Sequence, residues 1–232
     1  MRIATVVIIL SFFSSPASGQ EQRKFILGAH EKILDVSWKD SLYRFPAFRD
    51  GKLTFSGGFT PAYSLKMNYN IYFEKMAYIH PSSDTLFLDI PATVELIAIG
   101  DNLIYHDDQK GFLEIIIAGR LTLAMRYRFL LEGIELVRGV GGSGYGEAVR
   151  VVGMTNDKRG MTLDHSRVYT KIVGYYFIDS DNNIYRPTKI TLRKIARDDG
   201  QDISQYLREN DIDFEQSRDL ISLVTYYNSL ER

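Results

Sequence analysis

The chain has 232 residues, 28 Lys plus Arg against 29 Asp plus Glu, 45% hydrophobic residues and no cysteine. A net charge of −1 with both signs interspersed gives no basic field for nucleic acid, and the lack of thiols excludes disulfides, thiolate nucleophiles, thiolate metal ligands and cysteine-linked lipid. Stability must come from a hydrophobic core, for which about 213 residues beyond the N-terminal segment are ample.

That segment sets the expected compartment. Met1-Arg2 supplies a positive charge, residues 3–13 are almost wholly apolar, and small residues surround Pro16 up to Gly19. Charge, apolar run and small residues in this order form a secretory signal. The run spans about 11 residues, short of the roughly 20 that a transmembrane helix needs. The sequence predicts that residues 1–19 are removed and that Gln20 begins an exported chain, periplasmic or surface-associated. No later apolar run is long enough to span a bilayer as a helix.

Residues 24–187 read as successive strands. "YSLKMNYN" sets Tyr63, Leu65, Met67 and Tyr69 against Ser64, Lys66, Asn68 and Asn70. "RLTLAMRYRF" sets Leu121, Leu123, Met125, Tyr127 and Phe129 against Arg120, Thr122, Ala124, Arg126 and Arg128. Period two means a strand with one buried and one wet face. "FLEIIIAG" and "VELIAIG" are more uniformly apolar, as for strands covered on both sides. Turns are expected at Asp50-Gly51, Ser56-Gly57-Gly58, Pro81 to Asp84, Gly100 to Asn102 and Asp107 to Gly111. Turns every ~8–12 residues argue antiparallel hairpins, in a sandwich or a partly closed barrel.

The character changes after Pro187. "PTKITLRKIARD" starts a helical pattern, "DISQYLREN" spaces Ile203, Tyr206 and Leu207 helically behind Asp202 as N-cap, and the last helix carries Leu220, Leu223, Val224 and Tyr227 on one stripe. Asp213 and Gln216 have capping-box spacing ahead of it. The expected organisation is a signal over 1–19, an antiparallel β domain over 20–187 and a helical segment over 188–232 packed on the sheet. The class is mostly β with C-terminal helices.

Motifs for chemistry are sparse. Gly139, Gly141 and Gly144 match the G-x-G-x-x-G spacing of a dinucleotide loop, but "YGEAVRVVGM" follows as a further strand where the motif needs a helix. The glycines are read as a hairpin loop, and no cofactor is expected. "DSDNN" at 179–183 begins like a calcium loop, yet Ile184 and Ile190 occupy the positions that need Gly and Glu, so it is read as a turn. His30, His80, His106 and His165 show no metal-site spacing; His106 beside Asp107-Asp108 and His165 after Asp164 are read as loop neighbours. Ser143 lacks the G-x-S-x-G frame of a nucleophile elbow.

Several stretches in order, "FPAFRDGKLTFSGG", "LKMNYNIYFEKMAYI", "DTLFLD", "GFLEIIIAGRLTL", "YYFIDSDNNIYRPTK" and "ISQYLRENDIDFEQSRDLISLVTYYN", resemble a group of exported proteins of Bacteroidetes-type bacteria with no assigned function. The resemblance spans most of the mature chain and implies export and architecture; it carries over no catalytic residue. One departure lies at Phe73-Glu74-Lys75, where the group implies a glycine-bearing turn.

The leading expectation is a non-catalytic β-scaffold that binds an envelope protein or ligand. The runner-up is a carbohydrate-active or other hydrolase using carboxylates from separate strands, and a third reading is a carrier of an apolar ligand inside a curled sheet. Loops carry function more often than strands. Binding is therefore expected at residues 139–146, above all Gly141, Ser143, Gly144 and Tyr145, and at residues 153–166.

Overall fold

The alternation that opens at Arg120 continues into the longest strand of the computed structural model, which describes residues 23–28, 31–91, 93–135 and 166–230. In chain order the strands are β1 Lys24–Leu27, β2 Arg49–Phe55, β3 Leu65–Asn70, β4 Lys75–Ile79, β5 Thr85–Leu88, β6 Val94–Ile99, β7 Asn102–Asp107, β8 Gly111–Ile117, β9 Thr122–Glu135, β10 Ser166–Ile178 and β11 Ile184–Tyr185. The helices are α1 Lys189–Asp198, α2 Tyr206–Glu209 and α3 Ser217–Ser229. All strands join one antiparallel sheet in the order β1-β10-β9-β8-β7-β6-β2-β3-β4-β5, with β11 on β10. The fold is therefore neither a two-sheet sandwich nor a closed barrel.

The sheet curls. In the strand order β3 and β10 are six steps apart, which in a flat sheet at about 4.8 Å per strand would separate them by roughly 29 Å. Yet the Tyr72 hydroxyl, just past β3, lies 3.1 Å from that of Tyr169 on β10. Inward residues therefore share a concave face: Met67, Tyr69, Met76, Ile97, Ile99, Ile104 and Phe112 form its central core with Phe45. The crossover from β1 to β2 fills the remaining gap at one end. Its Val36 and Leu42 pack with Phe25, Leu27, Tyr72 and Tyr169, and the Trp38 indole N–H donates to the Ile26 carbonyl at 2.8 Å.

The helices cover the other end of the same face. Leu192, Ile195 and Ala196 of α1, Ile203, Leu207 of α2 and the α3 stripe Leu220, Leu223, Val224 and Tyr227 pack on Leu121, Leu123 and Phe177. Burying a side chain of this size contributes about 1.5–3 kcal/mol. Thr188 caps α1, its hydroxyl accepting from the Thr191 N–H at 3.0 Å. Asn228 pins α3 to the sheet by accepting from the Leu121 N–H at 2.9 Å and donating to the Leu121 carbonyl at 2.8 Å. Gly119 makes this approach possible, since a Cβ there would sit 2.3 Å from the Asn228 amide nitrogen.

Several local expectations are corrected. Asp50-Gly51 lies inside β2, not at a turn, because Met67 occupies the space a Cβ on Gly51 would need, 2.6 Å from its sulfur. Asn68 and Asn70 are buried, not wet. The Asn68 amide accepts from the Phe45 N–H at 3.1 Å and donates to the Phe45 carbonyl at 2.8 Å, holding the crossover segment on the sheet. The Asn70 side-chain Oδ1 accepts from the Phe73 N–H at 3.0 Å. β6 alternates buried Val94, Ile97 and Ile99 with more open neighbours, so it is covered on one side only. Around α3, Asp213 accepts from the Glu215 N–H and receives Asp219 on its own N–H, so Gln216 plays no part in a capping box. Asp202 accepts from the Ser204 N–H in the turn ahead of α2. The turn between β3 and β4 takes left-handed backbone at Glu74, with φ 53°. Its carboxylate binds Arg126 of β9 at 2.8 Å, an interaction that glycine would forfeit.

Gly119→Ala is expected to destabilise the protein by about 1–3 kcal/mol in urea unfolding, because the amide it meets is fixed by two backbone bonds. Asn228→Ala should cost ~1–3 kcal/mol through the unpaired Leu121 groups. The double variant should cost less than the sum, since removing the amide makes room for the methyl.

Candidate functional site

Beside its buried central core the concave face opens locally, on β10. Tyr127 of β9 stands opposite Val173 of β10, and Phe129 opposite Lys171, so these four share the inward side. On β10 the neighbours Tyr169 and Phe177 are buried under the crossover and the helices. Val173 between them is 41% exposed, although it belongs to the inward phase of the strand.

A buried ion pair forms one wall. Arg44, on the crossover segment, donates through Nε to Glu114 Oε2 at 2.6 Å and through Nη2 to Oε1 at 3.0 Å. Asn102 adds a bond to Oε1 at 2.9 Å. Such a bidentate, charge-assisted pair fixes both partners in orientation. Burial lowers the Arg44 pKa, but the Glu114 bond and charge outweigh it, and the net shift is upward. Burial likewise raises the Tyr127 pKa.

Cations and rings alternate across the site. The Lys171 ammonium lies 5.5 Å from the Tyr127 ring centre, and the Arg44 guanidinium 4.6 Å from the same ring. Arg44 is also 5.0 Å from the Phe45 ring, with Arg49 at 4.8 Å from that ring. Cation–ring contacts of this length are attractive, more so when desolvated. Of the three cations, only Arg44 has a carboxylate. Lys171 has no hydrogen-bond or ion-pair partner among the described residues. Burial and then the neighbouring Arg44 charge lower its pKa to about 8.

Below this row a cavity of about 10 Å3 is lined by Arg44, Tyr69, Ile104, Phe112, Glu114 and Tyr127, room for at most one water. The Tyr69 hydroxyl is buried beside it with no hydrogen-bond partner among the described residues. A second, open and polar depression of about 220 Å3 lies between the β7–β8 and β10–β11 turns, lined by Asp107, Gln109, Lys110 and Asn183 among others. Asp179 there accepts from the N–H groups of Asp181 and Asn183 at 2.9 Å each, so the acidic run is a hydrogen-bonded turn.

The expected binding loop, Gly141, Ser143, Gly144 and Tyr145, lies outside the described residues, as does most of the 153–166 stretch. His30 and His165 also lie outside them. His80 is exposed in a turn, its Nδ1 2.9 Å from the Ser82 hydroxyl. His106 packs on the Phe112 ring at 4.9 Å, while Asp107 caps the N–H groups of Gln109 and Lys110, so no carboxylate orients this imidazole from the turn. No group of three or more His, Asp or Glu arranged for a metal ion occurs among the described residues.

Sequence reasoning missed the Arg44, Glu114 and Lys171 set. The available signal was a charge in the wrong phase: Lys171 alternates with Tyr169, Val173 and Tyr175, and Glu114 interrupts an apolar run. Comparison of the chain with known protein families, curated proteins and solved structures finds no match.

Arg44→Met leaves Glu114 buried without its cation and should lower unfolding free energy by about 3–5 kcal/mol. The pH dependence follows from the lowered Lys171 pKa. Between pH 8 and about 10.4 the unfolded chain binds the lysine proton more tightly than the folded one, so this group makes stability rise with pH. The rise, on the order of 1 kcal/mol after solvent screening, should vanish in Lys171→Met when melting is followed from pH 7.5 to 9.5.

Proposed function

We propose that this protein is an exported β-scaffold that binds an envelope protein or ligand on the concave face of its sheet, without transforming what it binds. One observation carries the reading: on the inward side of β10, between the crossover and the helices, Val173 is open and the Lys171 cation beside it has no counter-charge among the described residues. What sets Val173 apart from other exposed apolar residues is its place in the inward phase of β10 beside that charge, which supports a surface used for association. Glu114, the buried carboxylate of this face, has both oxygens committed to Arg44 and Asn102, which fits a structural role better than proton transfer. Export rests on the charged, apolar and small-residue order of residues 1–19. No helix among the described residues is long and apolar enough to cross a membrane.

Two measurements test this. Mass spectrometry of protein recovered from the native envelope should show Gln20 at the N-terminus; a retained Met1 would remove the export half. A photo-crosslinking amino acid at Val173 should capture a discrete adduct in intact cells, whereas the same probe at the exposed Lys52 should not. Equal adducts at both positions, or none at Val173, would remove the concave face as the binding surface.

A further inference from the structure

We propose that Lys171 receives the carboxylate of an organic monoanion whose apolar body lies across Val173. The proposal rests on the reading of the concave face as the binding surface and adds the chemistry of its occupant.

The charge count comes first. Lys171, Arg44 and Arg49 are joined through the Tyr127 and Phe45 rings, and Glu114 is the one carboxylate hydrogen-bonded within this row. Glu114 is not free for Lys171. Its Oε2 accepts from Arg44 Nε, and its Oε1 accepts from both Arg44 Nη2 and Asn102. The lysine side chain is partly buried, so its ammonium has lost water and, among the described residues, gained only the face of the Tyr127 ring. Holding it beside the Arg44 guanidinium adds repulsion across a shared ring. An anion placed on Lys171 relieves both costs together, and the site is built before the ligand arrives because Tyr127 and Arg44 are fixed by packing and by Glu114.

The kind of anion follows from the donors. The Arg44 fork is turned toward Glu114 and Arg49 Nη1 toward Asn102 Oδ1 at 3.5 Å, so the donor left beside Val173 is one ammonium, matched in charge by one carboxylate. Arg49, the other cation of the row without a carboxylate, stands on the Phe45 ring beyond Arg44, so a phosphate dianion on Lys171 would have no second uncommitted cation beside it. The apolar body follows from β10 itself. Val173 is next inward along the strand, 41% exposed, with Tyr175 beyond it against the helix-covered core. A carboxylate held at Lys171 therefore has an apolar floor on the side toward the helices.

The test uses the mature protein, sodium decanoate as probe, and inorganic phosphate at matched ionic strength as the competing anion, read by amide NMR shifts and calorimetry. Decanoate should bind saturably and move the amides of Tyr127, Lys171 and Val173. Lys171→Met should weaken it ~10-fold or more, and Lys171→Arg should stay within a few-fold of wild type. Each variant is checked for the wild-type circular dichroism spectrum; should Lys171→Met fail to fold, Val173→Asp replaces it and must weaken decanoate while leaving the spectrum intact. Unchanged binding in the folded variant overturns the proposal, as does phosphate displacing decanoate at equal concentration or no saturable decanoate binding. A Val173 crosslink in cells together with no decanoate binding removes this inference alone. Loss of both removes the binding surface as well.

Discussion

Arg44 and Glu114 meet from parts of the chain 70 residues apart, and the curvature of the sheet depends on where they meet. One lies on the crossover segment that hydrogen-bonds along the end of β3, through Arg44 N–H to the Tyr69 carbonyl at 2.9 Å. The other lies on β8, four places away in the strand order. Taking two charges out of water is costly, and the cost is offset only when geometry and extra hydrogen bonds are good. Here the pair is bidentate, Asn102 supplies a third bond, and the guanidinium rests between two rings. A flat sheet would hold the partners apart and leave both buried charges uncompensated. The pair thus acts less as a source of stability than as a constraint on shape.

Curvature then divides the concave face into three parts. At one end α1, α2 and α3 seal it, with Arg120 donating to the Tyr227 carbonyl at 3.0 Å and the Tyr227 hydroxyl donating to Asp199 at 2.6 Å. At the other end the crossover seals it with Trp38, Phe25, Phe129 and the Tyr72–Tyr169 pair. Between them lie the buried central core and, on β10, Lys171 and Val173. Because β3 and β10 approach through side chains and not through a ladder, the described strands leave the sheet unclosed, with β5 at one edge and β1 and β11 at the other.

Local patterning was a good guide where one side of an element meets water. The α3 stripe and the inward Leu121 and Leu123 land on the expected face, but the side of β9 read as wet is covered too, with Ala124 fully buried among Leu113, Tyr176 and Ile178. It misled where a distant segment covers the polar side. Asn68 and Asn70 look wet from their neighbours in sequence, and only the return of residues 42–47 along β3 makes them interior. Gly51 reads as a turn for a similar reason: the methionine that excludes its Cβ is on another strand. The site has the same origin. Arg44, Glu114, Tyr127 and Lys171 come from four separate places in the chain, and no spacing rule links them.

The long-range character of these contacts has a kinetic consequence. Tyr72 and Tyr169 are 97 residues apart, and Arg120 reaches Tyr227 across 107. Such a topology has high contact order, and chain entropy must be surrendered before these partners reward it, which places folding in the slow, millisecond-to-second regime. Meanwhile β4 and β5 can form locally and present Ile79, Leu86 and Phe87 along a free edge, an aggregation hazard while the rest is unformed. That hazard lasts until the arc of the sheet has drawn Tyr72 to Tyr169.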